Sequence, residues 1–179
     1  MQPIWISNMM NCYNKNILFV PGCLLCPLYQ ADASEKNLSW ARGLREMLAL
    51  QEINLIQLPC PEASFGGYDA GLKRKPRGLK YYSELPGFQE HCSDLAGRVV
   101  KQICELRLGG KRVIAIVGIE HSPTCAVNYI YTNKGTIRHK GIFFQEIDML
   151  LLRAGVEVPF VGINRRFYRK STAELAKLI

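Results

Sequence analysis

Short apolar runs alternate along this chain with longer segments in which apolar residues recur every three or four positions. Four runs have the length of buried strands: 17–20, 53–58, 112–118 and 156–161. Helical spacing covers the segments between them: 34–50, 86–108 and 143–154. Because strands alternate with helices, the pattern predicts a Rossmann-like α/β domain of three layers, with a mostly parallel sheet of about four to five strands.

The segment 86–108 is the clearest predicted helix. Its apolar residues, Phe88 and Cys92 among them, repeat at spacings of three and four, which indicates a face turned toward the core. The pair of glycines that follows is typical of a helix C-terminus. Free cysteine is among the most buried residue types, so we interpret Cys92 and Cys104 as core residues.

The stretch 61–85 is predicted to be a long loop because it is rich in glycine and tyrosine. A connection of this length within a compact domain usually has a function. Near the other end, Ser171 and Glu174 have the spacing of a capping box, which predicts the start of a short helix. We expect one domain over residues 1–179 with three parts: an N-terminal extension (1–15), an α/β core (16–164) and a basic C-terminal helix (165–179).

The chain carries a formal net charge of +8, concentrated at 73–80 and 165–170, and it has seven cysteines. Positive charge favours anionic partners such as nucleotides or RNA. No apolar stretch approaches the roughly 18–20 residues that span a bilayer, so we expect no membrane partner. The odd cysteine count and the absence of a signal-like N-terminus argue against a disulfide framework and for a cytoplasmic protein.

Three cysteines each follow a predicted strand: Cys23, Cys60 and Cys125. Parallel strands end at the same edge of a sheet, where ligands bind, so we expect these thiols to meet there. Such a set suits zinc or an iron–sulfur cluster, and a coincidence of three loop thiols is also open. Glu62 and Ser122 lie close to these cysteines in sequence, and Glu62 is a candidate general base beside a metal-bound substrate.

The pair Cys23 and Cys26 forms a Cys-x-x-Cys motif. After a strand, this motif is also typical of a thiol–disulfide enzyme or of half a zinc site. His121, next to Ser122, is interpreted as a structural or hydrogen-bonding residue rather than a metal ligand.

Three motifs, in this order, resemble the signature blocks of the thiouracil desulfidase family. The family pattern is roughly C-L-L, then C-P-E with G-G and P-R, then S-P-S-C, and the matching residues are Cys23-Leu24-Leu25, Cys60-Pro61-Glu62 with Gly66-Gly67 and Pro76-Arg77, and Ser122-Pro123-Thr124-Cys125. The similarity is greatest to a short bacterial desulfidase-related subgroup, formerly a domain of unknown function. Thr124 stands where the pattern has Ser, and Cys26 where the family often has Gly or Asn.

The resemblance implies an iron–sulfur-dependent desulfidase that releases sulfide from a thiolated pyrimidine base or nucleoside. It implies a 4Fe–4S cluster on Cys23, Cys60 and Cys125, which makes 16–164 a cluster-binding core. Glu62 would activate the attacking water, and Ser122 would assist proton transfer. A fourth ligand from Cys26 would close the open iron, so this thiol bears directly on the mechanism.

Four residues near the motifs are our candidates for contact with a thiolated nucleobase or nucleotide: Tyr68, Asp69, Arg77 and Asn128. Turn-forming or surface roles are the alternative for each of them. Two other functions stay open. One is a non-catalytic cluster or zinc protein that senses redox state or binds RNA, and the other is a thiol–disulfide enzyme built on Cys23 and Cys26. The sequence makes no prediction of oligomeric state.

Overall fold

The computed structural model describes residues 15–26, 38–51, 53–66 and 77–179. The elements within these ranges are, in chain order, β1 (Asn16–Pro21), α1 (Gly22–Leu25), α2 (Leu38–Ala49), β2 (Asn54–Leu58), α3 (Pro61–Phe65), α4 (Leu79–Ser83), α5 (Phe88–Leu108), β3 (Arg112–Ile119), β4 (Tyr129–Thr132), β5 (Gly135–Arg138), α6 (Ile142–Arg153), β6 (Phe160–Ile163) and α7 (Tyr168–Ala176). The candidate contacts Tyr68 and Asp69, the basic residues 73–76 and the predicted helix start at 34 lie outside the described residues.

The central sheet has the strand order β2-β1-β3-β6, and every neighbouring pair is parallel. The predicted α/β class and parallel sheet are therefore confirmed, with four strands. In the pairing of β1 with β3 the register shifts by one residue, because Ile17 pairs with Val113 whereas Leu18 pairs with Ala115. Ile114 is the extra residue of this bulge.

Helices cover both faces of the sheet and make three layers. Side chains that alternate along β1 enter two separate cores: Phe19 packs in the cluster that includes α5 and α6, and Leu18 packs in the cluster with α2 and α7. Cys92 is fully buried in the first cluster, and Cys104 packs against its edge. Apolar side chains of the helices thus cover both faces of the sheet. A binding site on this sheet would therefore lie at the ends of its strands.

The fourth strand does not lie where the apolar run predicted it. β6 comprises Phe160–Ile163, whereas the prediction was 156–161. Pairing with β3 starts at Phe160 opposite Ile116, and Val156 is instead in the turn that closes α6, where its N–H donates to the Leu151 carbonyl. Apolar content alone could not distinguish the turn from the strand, because Val156 and Val158 also enter the core.

Two further predictions are wrong in detail. The stretch 61–85, predicted as a loop, contains the short helices α3 and α4. Ser171 does not begin the last helix, because α7 already starts at Tyr168. Asn164 forms the turn before α7, because its side chain accepts hydrogen bonds from the backbone N–H groups of Arg166 and Phe167. The Asn164 N–H in turn donates to the hydroxyl oxygen of Ser171.

The antiparallel hairpin of β4 and β5 was not predicted. Its sequence does carry the signal, since alternating residues from Tyr129 precede a turn at Asn133 and Lys134, and Gly135 follows that turn with a positive φ of 112°. Among the described residues, no helix is long and apolar enough to cross a membrane.

Candidate active site

Three neighbouring strands deliver the three predicted cysteines to one edge of the sheet. Cys23 lies in α1, which follows β1 directly, and Cys60 is the residue before α3, which follows β2. Cys125 lies in the turn after β3. Because β2, β1 and β3 are adjacent and parallel, the carboxyl ends of all three strands face the same side.

The turn that carries Cys125 is held against β3 by close backbone contacts. The Ile119 N–H donates to the Cys125 carbonyl at 2.9 Å, and a Cβ on Gly118 would lie 2.4 Å from that same oxygen. A Cβ on Gly141 would lie 2.3 Å from the Thr124 carbonyl carbon. Both positions therefore require glycine for Cys125 to sit where it does.

The side chain of Ser122 stabilises this turn through hydrogen bonds to its backbone. Its Oγ accepts hydrogen bonds from the N–H groups of Thr124 and Cys125, at 3.3 and 3.1 Å. The hydroxyl of Thr124 lies 3.4 Å from the Cys125 sulfur and 3.3 Å from the Ser122 oxygen. The predicted catalytic serine is thus beside the predicted ligand.

The thiols influence each other electrostatically. Burial, followed by the negative charges of Cys60 and Glu62, raises the pKa of Cys23 to about 12. Burial, followed by Cys60 and Cys23, raises the pKa of Cys125 well above its usual value. The ionisation of Cys23 and of Cys125 is thus affected by Cys60 and by Glu62. In the described part of the chain, no three Cys, His, Asp or Glu side chains are grouped closely enough to hold one metal ion.

Glu62 is held by two hydroxyl groups from distant parts of the chain. Thr124 Oγ1 donates to Glu62 Oε1 at 2.8 Å, and the Tyr82 hydroxyl donates to Glu62 Oε2 at 3.1 Å. Tyr82 is buried and its ring packs on Phe88, with 4.7 Å between ring centroids. Sequence reasoning missed Tyr82, which lies in the stretch that was predicted to be a loop.

Two of the predicted substrate contacts have other partners. Asn128 donates through its side-chain amide to Glu120 Oε1 at 2.8 Å and through its backbone N–H to Glu120 Oε2 at 3.1 Å. The exposed Arg77 guanidinium lies 4.7 Å from the centre of the Tyr81 ring. Whether either residue contacts substrate stays a prediction.

Cys26 ends α1, where its N–H donates to the Gly22 carbonyl at 2.8 Å, and its thiol is half-buried. Its backbone is extended, with φ of −132° and ψ of 114°. The structure therefore places Cys26 directly after α1, three residues beyond Cys23. A role as fourth ligand stays a prediction.

His121, which the sequence analysis interpreted as structural or hydrogen-bonding, lies two residues after β3. It has a φ of 69°, a conformation that costs energy in any residue other than glycine, and its ring stacks on Tyr131 with 4.0 Å between centroids. Burial lowers the pKa of His121, against the nearby charge of Glu120 and together with that of Arg165. The charge of Arg165, which follows β6, also acts on Cys23, so the end of the fourth strand reaches the same edge.

Known proteins resemble the chain in sequence and in fold. The sequence profile of the family described as "Putative 2-thiouracil desulfurase" matches residues 15–147. Uncharacterized protein MJ0003 from Methanocaldococcus jannaschii is 31% identical over 136 residues, which cover 75% of this chain and 78% of that protein. The 4Fe–4S-dependent thiouracil desulfidase TudS is 20% identical, with a TM-score of 0.49 over 90% of this chain and 99% of that structure.

Proposed function

Because this chain belongs to the 2-thiouracil desulfurase family, we propose that it removes sulfur, as sulfide, from a thiolated pyrimidine base or nucleoside. The observation that carries the proposal is the position of Glu62. Its carboxylate is held by two hydroxyls at the edge of the sheet where three strand-end thiols act on one another. A general base beside three soft ligands is the arrangement that this chemistry requires.

Cys23, Cys60 and Cys125 are the residues that would hold a 4Fe–4S cluster. Thiolate sulfur is the usual protein ligand of iron–sulfur clusters, and these thiols are buried or half-buried, which limits contact with water. Burial, followed by neighbouring negative charge, raises the pKa of Cys23 and of Cys125, and binding of cationic iron would stabilise their thiolate forms. When bound through three cysteines, the cluster would supply an open iron, a soft Lewis acid for the substrate sulfur.

The protein side chains would handle the water and the protons. Glu62 would take a proton from the water whose oxygen forms the new C–O bond, while the C–S bond breaks and sulfur leaves as hydrogen sulfide. The reaction exchanges sulfur for oxygen without net oxidation, so it needs no external oxidant or reductant. Ser122 would assist proton transfer, since its hydroxyl is linked through Thr124 to Glu62.

Recognition of the pyrimidine is proposed for the four polar or aromatic residues near the motifs: Tyr68, Asp69, Arg77 and Asn128. Arg77 is exposed and charged, which suits an anionic group on a nucleotide. The Asn128 amide donates to Glu120, but its carbonyl oxygen can still accept a hydrogen bond from a pyrimidine N–H.

The proposal is tested by anaerobic purification and reconstitution with iron and sulfide. Iron and zinc content and sulfide release from 2-thiouracil, 4-thiouracil and 4-thiouridine monophosphate are then measured. We expect iron in the wild type and in Cys104→Ala, and its loss in Cys60→Ala and Cys125→Ala. The cluster assignment would be overturned if the protein bound zinc in place of iron, or if its iron content were unchanged in Cys60→Ala and Cys125→Ala.

A non-catalytic role in RNA binding is the second candidate. The chain has no acidic residue between Glu120 and Glu146, and its hairpin exposes Tyr129 and Tyr131 together with Lys134 and Arg138. Aromatic rings and cations on one surface suit single-stranded RNA. This candidate predicts salt-dependent RNA affinity and no sulfide release from any thiolated base.

A further inference from the structure

We infer that Tyr82 and Thr124 are positioning residues for the desulfidation, and that together they hold the Glu62 carboxylate in one orientation. The inference rests on the proposed function and extends it to two residues outside the proposed catalytic pair. Each hydroxyl donates to a different oxygen of the carboxylate, Thr124 to Oε1 at 2.8 Å and Tyr82 to Oε2 at 3.1 Å.

Without these donors, Glu62 would have little to define its orientation. It sits in the first turn of α3, a helix of five residues, and its side chain has three rotatable bonds. The cysteines at this edge of the sheet would be thiolates when they bind a cluster, and their negative charge would then repel the carboxylate. Hydrogen bonds to a charged acceptor are among the strongest in proteins, so two of them can keep the carboxylate at an anionic edge.

The two donors come from rigid surroundings. Tyr82 lies on α4, and its ring packs on Phe88 at the start of α5. Thr124 is 1% exposed and lies in the turn that Gly141 and Ser122 hold in place. Three elements separated in sequence thus meet at one carboxylate, which fixes it relative to the thiol of Cys125.

The arrangement leaves the base able to act. A carboxylate has about four acceptor positions, and the two hydroxyls use two of them, so positions remain for a water molecule. Thr124 has a single hydroxyl proton, which it donates to Glu62, so Ser122 must be the donor in the contact between the two hydroxyls. The order Ser122, Thr124, Glu62 is therefore a directed hydrogen-bond chain between the two proposed catalytic residues.

Tyr82→Phe and Thr124→Val test the inference, with matched controls. Phenylalanine keeps the ring packing on Phe88, and valine keeps the shape of threonine, so each change removes mainly a hydroxyl. We expect kcat for sulfide release to fall about ten- to hundredfold with less than a twofold change in KM, because a displaced base affects chemistry rather than binding. Tyr81→Phe is the control and should stay within about twofold of the wild type. Thr124→Ser keeps the hydroxyl group and should recover most of the rate that Thr124→Val loses.

A second measurement uses the metal-free protein and is independent of activity. Tyr82→Phe should lower the urea midpoint of unfolding in the wild type, and the loss should be smaller when Glu62 is already replaced by Ala, because the hydrogen bond to Glu62 is then already absent. Equal shifts in both backgrounds would show that Tyr82 only supports the core, and would overturn the inference.

The two proposals fail in different ways. If the reconstituted wild type contains iron and releases no sulfide, the proposed function fails, and the metal-free cycle still decides whether Tyr82 holds Glu62. If the wild type is active and Tyr82→Phe and Thr124→Val are equally active, the proposed function stands and the positioning role is wrong.

Discussion

Two glutamates at the carboxyl edge of the sheet, Glu62 and Glu120, are held in opposite ways. Glu120 is 5% exposed and receives three N–H donors, from the backbone and side chain of Asn128 and the backbone of Tyr129. Glu62 is half-buried and receives two hydroxyl donors, from Tyr82 and Thr124.

The kind of hydrogen-bond donor distinguishes Glu120, which has a structural role, from Glu62, which is suited to act as a general base. Backbone and amide N–H groups can only donate, so the bonds to Glu120 lock the start of the β4–β5 hairpin onto the end of β3. Hydroxyls both donate and accept, and they can reorient when a proton moves. Glu62 also lies among the thiols, whereas Glu120 lies beside Gly162, whose lack of a Cβ gives it room.

The largest expected effect is that of replacing Glu62 on the rate of the reaction. Glu62→Gln should lower kcat for sulfide release by about 10²- to 10⁴-fold, the range typical of a lost general base. Iron content and thermal stability should stay close to the wild type, because the glutamine carbonyl oxygen still accepts from one hydroxyl, and the other hydroxyl can turn to accept from the glutamine NH2 group. Sulfide release at the wild-type rate would remove Glu62 from the mechanism.

On the structural side, Glu120→Ala should lower the free energy of unfolding by about 3 kcal/mol, because three N–H groups lose a charged acceptor. Urea unfolding of the metal-free protein measures the change. Glu90→Ala, at an exposed position of α5, is the control and should change it by less than about 0.5 kcal/mol. An equally mild effect for Glu120→Ala would contradict the structural role.

A smaller cost is expected for Gly162→Ala. The added Cβ would lie 1.8 Å from Glu120 Oε1, so the carboxylate would have to leave its donors or the strand would have to shift. We expect a loss of about 2 kcal/mol in the free energy of unfolding, in the range of overpacked core substitutions. Gly97→Ala, where a Cβ meets nothing within 4 Å, should not destabilise the protein.

The thiols make the Glu62 side of the edge sensitive to alkaline pH. The folded-state pKa of Cys23 is about 12 against an ordinary value of 9.0, so folding favours its protonated form. This contribution to stability is fully present below pH 9 and is lost as pH rises toward 12. In the metal-free protein under reducing conditions, Cys23 alone should lower the free energy of unfolding by up to about 1.4 kcal/mol for each pH unit above 9.

Cys23→Ala should make that alkaline decline shallower, whereas Glu120→Ala should lower stability without changing its slope above pH 9. Urea unfolding between pH 7 and pH 11 measures both. A Cys23→Ala protein with the full wild-type slope would show that the pKa of this thiol does not carry the effect.

Much of the site could be predicted because it depends on strand ends. Apolar runs located β1, β2 and β3, and the parallel arrangement then required Cys23, Cys60 and Cys125 to lie at one edge. The periodicity of α5 likewise predicted that Cys92 is buried, and it is. The limits of β6 could not be found in this way, because a strand is defined by its pairing with β3, and an apolar run does not encode that register.

The hydrogen bonds that distinguish the two glutamates were outside the reach of sequence patterns. Tyr82 and Glu62 are 20 residues apart, and Thr124 and Glu62 are 62 apart. Glu120 directly follows the last residue of β3 and bears no motif. The sequence by itself determined the fold class and the edge where the thiols gather, because local periodicity and strand direction are enough for that. Only the tertiary structure decided which carboxylate faces hydroxyls and which faces N–H groups, because those donors are brought together by packing between elements distant in the chain.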